Sequence, residues 1–145
     1  MSEYMVSVLS LICIESFVAL STYLLLITGQ ISFGQQAYFG IGAYIGAIWT
    51  AMLGLDLSTA ILAGAIIAGL VAAGVGLMAF RLGGLYYAIA TLAFSELVRQ
   101  IWINLIYQVP VAGFEVGPKG AEGFKDIRYV IENDISATQY LGLIA

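Results

Sequence analysis

Histidine is absent from this chain, cysteine occurs once, at Cys13, and only 5 of the 145 residues are Lys or Arg. Without histidine, and with a single thiol, the chain offers no Cys/His zinc site, no disulfide framework and no His-based catalytic triad. The 5 cations face 9 acids, for a net charge of −4, which excludes nucleic-acid binding driven by charge. Charge of either sign is scarce: 10% of residues carry it, where a soluble domain has about 25%. Apolar residues make up 61% and mean hydropathy is +0.99. This balance excludes both a water-soluble globular fold and a disordered chain. No G-x-x-x-x-G-K-[ST] run exists, since Lys119 sits in Gly117-Pro-Lys-Gly120, so any ATP-driven step belongs to another chain. No Lys or Arg precedes the first apolar run and no small-residue cleavage site follows it, so the N-terminus does not read as a signal peptide. The composition is that of an integral membrane protein.

What charge there is lies unevenly. Residues 1–113 hold Glu3, Glu15, Asp56, Arg81, Glu96 and Arg99; residues 114–134 hold Glu115, Lys119, Glu122, Lys125, Asp126, Arg128, Glu132 and Asp134. The first stretch is built for lipid, and a polar extramembrane segment is expected over residues 110–134. Leu57–Phe80 runs for 24 residues without a charge, about 36 Å as a helix against a hydrocarbon core of about 30 Å. Further spans are expected over Met5–Ile27, interrupted by Glu15, over Ala37–Leu53, and over Leu85–Tyr107, which carries Glu96 and Arg99. Tyr140–Ala145 turns apolar again and reads as the opening of a fifth helix. The fold class expected is an all-α polytopic membrane protein, with about four transmembrane helices plus the start of a fifth, part of a larger bundle. Residues 1–145 form one transmembrane domain, expected to be cut short at its C-terminus.

Three features stand out within the spans. Ala60, Gly64, Ala68, Ala72 and Gly76 recur every four residues, a stripe of small side chains that lets one helix approach another closely. Between Thr28 and Trp49, Gly29, Gly34, Gly40, Gly42 and Gly46 interleave with Gln30, Ser32, Gln35 and Gln36. Glycine is costly in a helix and amides are costly in lipid, so this segment reads either as a short polar loop or as broken backbone lining a pathway. Gln30, Ser32 and Gln35 are the candidate path or hinge residues, while Gly42 and Gly46 form a GxxxG pair for helix packing beside Gly64 and Gly76. Glu96 and Arg99, three residues apart, can pair on one helix face. Each alone would cost about 2.5–3.5 kcal/mol at the bilayer centre on insertion scales, so a buried polar pair is expected. Thr91 and Ser95 extend its polar stripe, and the pair reads either as a structural ion pair or as the wall of a permeation path. Glu15 needs a partner or water that the sequence does not name.

These residues carry a resemblance. Gly29-Gln-Ile-Ser-Phe-Gly34 with Phe39-Gly-Ile-Gly-Ala-Tyr44, and then Arg81-Leu-Gly-Gly-Leu-Tyr-Tyr-Ala-Ile-Ala-Thr-Leu-Ala-Phe-Ser-Glu-Leu-Val-Arg99, are similar to blocks of the membrane permeases of branched-chain amino acid ABC importers. Gly117-Pro-Lys-Gly-Ala-Glu-Gly123 resembles that family's glycine-rich loop more weakly. The resemblance implies a multi-pass subunit of a bacterial or archaeal plasma membrane, carrying leucine, isoleucine or valine. It implies as partners a second permease subunit, cytoplasmic ATP-binding subunits and a periplasmic or extracellular solute-binding protein. The chain would hold no cofactor and no metal, with ATP bound elsewhere. Arg81 would lie on the cytoplasmic side and the Gly117, Gly120 and Gly123 loop outside, facing the binding protein. A count of cations alone puts Lys119, Lys125 and Arg128 inside, but a net acidic loop is a weak case for that rule. Where the family carries Asn and Gly, Thr22 and Leu26 stand here, which keeps related permeases for urea or short amides in view. The family's cytoplasmic coupling loop would lie downstream of Ala145. A competing class, a self-contained oligomeric channel or secondary transporter joined through the Ala60–Gly76 stripe, would move solute without an ATPase; no internal repeat supports it.

Overall fold

The computed structural model describes residues 3–79, 81–111 and 114–125. Four helical segments fill most of that length: α1 (Glu3–Ile27), α2 (Gln35–Ala47) with a π-helical extension (Ile48–Met52), α3 (Leu57–Ala79) and α4 (Leu85–Asn104). Two of them, α1 and α3, are long and apolar enough to cross a membrane. The core helix of a soluble protein would pass the same test, but only 6% of each apolar window is buried inside the chain. Their side chains face outward instead, with Leu62, Leu70 and Leu77 of α3 and Leu11, Leu20 and Leu24 of α1 all exposed. An outward apolar surface of that extent belongs in lipid.

The hydroxyls in these helices are kept harmless locally. Ser10, Ser16 and Thr22 of α1 donate to the carbonyls of Val6, Ile12 and Val18, at 2.9, 2.7 and 3.0 Å. Thr50 does the same to Gly46 O at 3.0 Å. A donor satisfied one turn back needs nothing from its surroundings, which is the condition lipid imposes. Glu15 is different: it is exposed and makes no hydrogen bond or ion pair among the described residues.

α1 ends in a closed turn. Gly29 takes φ +75°, its N–H donates to Leu26 O at 3.0 Å, and Gln30 N–H donates to Leu25 O at 3.2 Å. This paired pattern uses up the last carbonyls of the helix and needs a residue free to enter the left-handed region. The chain then runs without regular structure to Gly34, where α2 begins. The broken backbone expected somewhere in Thr28–Trp49 is therefore confined to residues 28–34, and Gly40, Gly42 and Gly46 lie inside a helix that continues to Met52. In the π-helical turn Leu53 N–H donates five residues back, to Ile48 O at 3.2 Å.

α3 packs against α2 across the broadest helix contact of the chain. The small-residue stripe forms the contact face: Ala60 is wholly buried, Gly64 is buried, and Ala68, Ala72 and Gly76 are half-buried while residues on the other face are exposed. At the centre of the crossing two backbones meet. A Cβ on Gly64 would stand 2.8 Å from Gly42 O, so only glycine fits there. α4 lies along α2 in the same direction, since Tyr38 pairs with Phe94 and Tyr44 with Trp102 further on.

After Asn104 the chain turns extended, three residues before the expected end of the span. Strands β1 (Val109–Val111), β2 (Phe114–Pro118) and β3 (Phe124–Lys125) form an antiparallel sheet in the order β1-β2-β3, with a 3-10 turn at Gly120–Glu122. Val109 pairs with Val116 and Gly117 with Lys125. The all-α expectation is corrected here. Strands of three, five and two residues are too short to announce themselves by alternation, and Pro110 is tolerated because β1 is an edge. Residues 126–134 of the expected polar segment, with Lys125's side chain, and the expected fifth helix at Tyr140–Ala145 lie outside the described residues.

Candidate functional site

Two clusters of polar residues lie on or between the helices. The first is the elbow between α1 and α2. Ser32 is 6% exposed, and its hydroxyl accepts the N–H of Gly34 at 3.2 Å, fixing the turn into α2. The N–H of Phe33 reaches across to α4, where Thr91 Oγ1 accepts it at 3.1 Å. Thr91, 1% exposed, directs its own hydroxyl hydrogen to the carbonyls of Tyr87 and Ala88 at 3.1 and 3.0 Å. One side chain therefore joins an irregular backbone to the ladder of a helix 58 positions away in sequence. A buried backbone N–H outside regular structure needs such a partner.

Gln30 and Gln35 flank that turn. Among the described residues the buried Gln35 has no hydrogen-bond partner for Nε2, and Gln30 has none for its buried Oε1. One unmatched donor and one unmatched acceptor thus sit at the two ends of the elbow. Buried amides left unmatched among the described residues call for a further partner, water or solute included. The three candidate path or hinge residues, Gln30, Ser32 and Gln35, are all elements of this elbow.

The second place is the outward face of α4. Glu96 and Arg99 pair there, Arg99 Nε donating to Glu96 Oε2 at 2.8 Å and Nη2 to Oε1 at 2.7 Å. Gln100 Nε2 donates to Glu96 Oε1 at 2.8 Å, and Asn104 Nδ2 to Gln100 O at 2.8 Å. The expected pair forms, and within this chain the Arg99 and Glu96 side chains are 58% and 52% exposed. The reason is the facing of α4, which turns Tyr87, Ala88, Thr91 and Val98 inward. The stripe drawn from Thr91 through Ser95 to Arg99 accordingly divides, with Thr91 in the interior, Ser95 half-buried and Arg99 outside.

The packing glycines behave unequally. Gly42 and Gly64 touch through backbone, Gly76 is half-buried on the same stripe, and Gly46 has nothing within 4 Å of where a Cβ would stand. The outer-loop glycines serve the sheet. Gly117, at φ +146°, would collide through a Cβ with Tyr107 O. Gly120, at φ +58°, is buried; its N–H donates to Leu105 O at 3.0 Å and a Cβ would lie 2.7 Å from Ile103 O. Gly123 at φ +77° has open space around it. A bulky residue at Gly120 would break the sheet's seat on α4 before it touched any partner.

Composition gave no sign of the aromatic set below the sheet. Tyr44 stacks on Trp102 at 4.0 Å and 11°, and Phe124 meets Tyr44 edge-on at 6.1 Å. Trp102 Nε1 is buried without a partner among the described residues. The only hint in the sequence is an aromatic at matching depth on each of α2 and α4. Among the described residues no group of His, Cys, Asp or Glu could hold a metal.

A family model described as "Branched-chain amino acid transport system / permease component" matches residues 4–145. No curated protein and no solved structure matches the chain. The match covers nearly the whole sequence, and the chain belongs to that permease family.

Proposed function

We propose, from that membership, that the chain is a transmembrane subunit of an ATP-dependent importer for branched-chain amino acids in a bacterial or archaeal plasma membrane. The observation that carries the reading is the family match over residues 4–145, joined to outward apolar faces on α1 and α3 that suit lipid. All four helices then cross the bilayer. The helix Gln35–Met52, 18 residues by its bounds, reaches about 27 Å, and the 20 residues of α4 reach about 30 Å. Arg81 precedes α4 and the sheet follows it. That supports an arrangement with Arg81 at the cytoplasmic face and the sheet with Gly117, Gly120 and Gly123 outside, toward a solute-binding protein. ATP is bound and hydrolysed by separate cytoplasmic subunits, and a second permease subunit completes the path.

In this reading Gln30, Ser32 and Gln35 meet the translocation path at the elbow. Their unmatched amide groups supply hydrogen bonds to water or to the polar end of the solute, and the elbow's non-helical backbone supplies a point of bending. The test is uptake of radiolabelled leucine into proteoliposomes. These hold the complete chain with its partner permease, ATPase subunits and binding protein. Uptake that requires both ATP and binding protein is expected. Leucine flux through the chain alone would favour the channel or secondary-carrier class, and competition by urea or acetamide but not by valine would move the substrate to short amides.

A further inference from the structure

The outward face of α4 changes character along its length. In its first half that face presents Leu85, Tyr86, Ile89 and Leu92, all more than half exposed and suited to lipid. In its second half it presents Glu96, Arg99, Gln100 and Asn104, spaced at i, i+3, i+4 and i+8 and linked into one hydrogen-bonded run, with Leu97 and Ile101 exposed along its flank. At 100° per residue these positions stay on the side opposite Tyr87, Thr91 and Val98, which pack inward. We infer that this second half-face, about 12 Å long, lines a water-filled cavity that opens toward the sheet end of the helix, while lipid covers the first half and the flank that carries Leu97 and Ile101.

Water is the occupant that the unused groups require. Of Arg99's five N–H donors, Nε and Nη2 serve Glu96, and the others have no partner among the described residues. Gln100 and Asn104 donate to the run, and their amide oxygens accept no hydrogen bond among the described residues. Lipid can match none of these. A protein surface sealed over them would have to desolvate an ion pair and complement three more amide or guanidinium groups at once. Water does so without fixed geometry. The sheet does not close the opening, because Glu96 and Arg99 remain more than half exposed with the sheet in place. The inference rests on the importer reading only in taking α4 as a spanning helix.

The test uses the complete chain in its complex, in membrane vesicles, with Cys13 replaced by Ala. Single cysteines are placed by Gln100→Cys, Asn104→Cys, Ile89→Cys and Leu92→Cys, and each is treated with a charged, membrane-impermeant methanethiosulfonate. The two in the polar half are expected to react at least tenfold faster than the two in the apolar half. A smaller ratio, or no reaction at Gln100→Cys and Asn104→Cys, overturns the cavity. Leucine uptake by the same vesicles reads separately: vesicles that keep the labelling ratio but need no ATP for uptake defeat the importer reading and leave the cavity standing.

Discussion

α2 meets α3 and α4 by opposite means. Against α3 it offers an absence of side chain, and the two backbones close to within reach of each other at Gly42 and Gly64. Against α4 it offers side chains, with Tyr38 on Phe94, Tyr44 on Trp102, and at its head the Phe33 N–H held by Thr91. Lipid is as apolar as either surface, so neither contact gains from excluding water; both depend on fit and on hydrogen bonds. The α3 contact is intolerant of added volume at Gly64. The α4 contact depends on its rings and one hydrogen bond.

The largest effect is expected from Gly64→Leu. A Cβ there already meets Gly42 O at 2.8 Å, and a branched side chain separates the helices, at a cost of about 3 kcal/mol or more. Detergent-solubilised protein should lose most of its folded yield, and an unchanged melting temperature would show that the backbones do not touch. The crossing is also asymmetric. Gly64→Ala should cost about 1–3 kcal/mol, whereas at Gly42 the nearest atom to a Cβ is Gly64 O at 3.7 Å, an ordinary contact. Gly42→Ala should therefore be close to neutral in the same thermal assay, and equal losses at both positions would contradict the geometry.

Thr91→Val keeps the shape and removes the acceptor of the Phe33 N–H. The expected loss is about 1–3 kcal/mol, the penalty of a buried donor left unmatched, and amide exchange at Phe33 should quicken while α3 amides stay protected. Uniform quickening in both helices would mean that the elbow has no latch of its own. Trp102→Phe retains a ring against Tyr44 and removes an N–H that has no partner, so a change under about 1 kcal/mol is expected. A larger loss in the thermal melt would reveal an undescribed acceptor for the indole. The smallest change is expected at Gly46→Ala, where nothing lies within 4 Å. Better helix propensity there gives anything from no change to a gain of about 1 kcal/mol, and a loss would show Gly46 packed against something outside the described residues.

The same contrast decides what could be read from the sequence. The stripe from Ala60 to Gly76 is legible because close backbone approach demands the same residue type every fourth position along the contact. The ends of α1, α3 and α4 at Ile27, Leu57 and Leu85 lie within a residue or two of the limits set by charge and glycine. The Glu96–Arg99 pair is legible as spacing, but its facing is not, because spacing says which residues share a side and not what that side meets. Gln30, Ser32 and Gln35 announce an irregular turn. That Thr91 anchors it depends on how α2 and α4 lie in space, which no local pattern encodes. The sheet was hidden for another reason, since the three outer-loop glycines mask its short strands as a plain polar loop.

The Phe33–Thr91 bond also has a consequence in time. Its two ends lie 58 residues apart, so a ribosome working at about 5–20 residues per second adds roughly 3–12 s between making the donor and making its acceptor. Throughout that interval the elbow carries a backbone N–H with no place in the finished fold to go, while α1 is already free to leave for the bilayer. The α1–α2 pair must therefore wait where water or the insertion machinery can supply an oxygen, and α4, on arriving, displaces that stand-in.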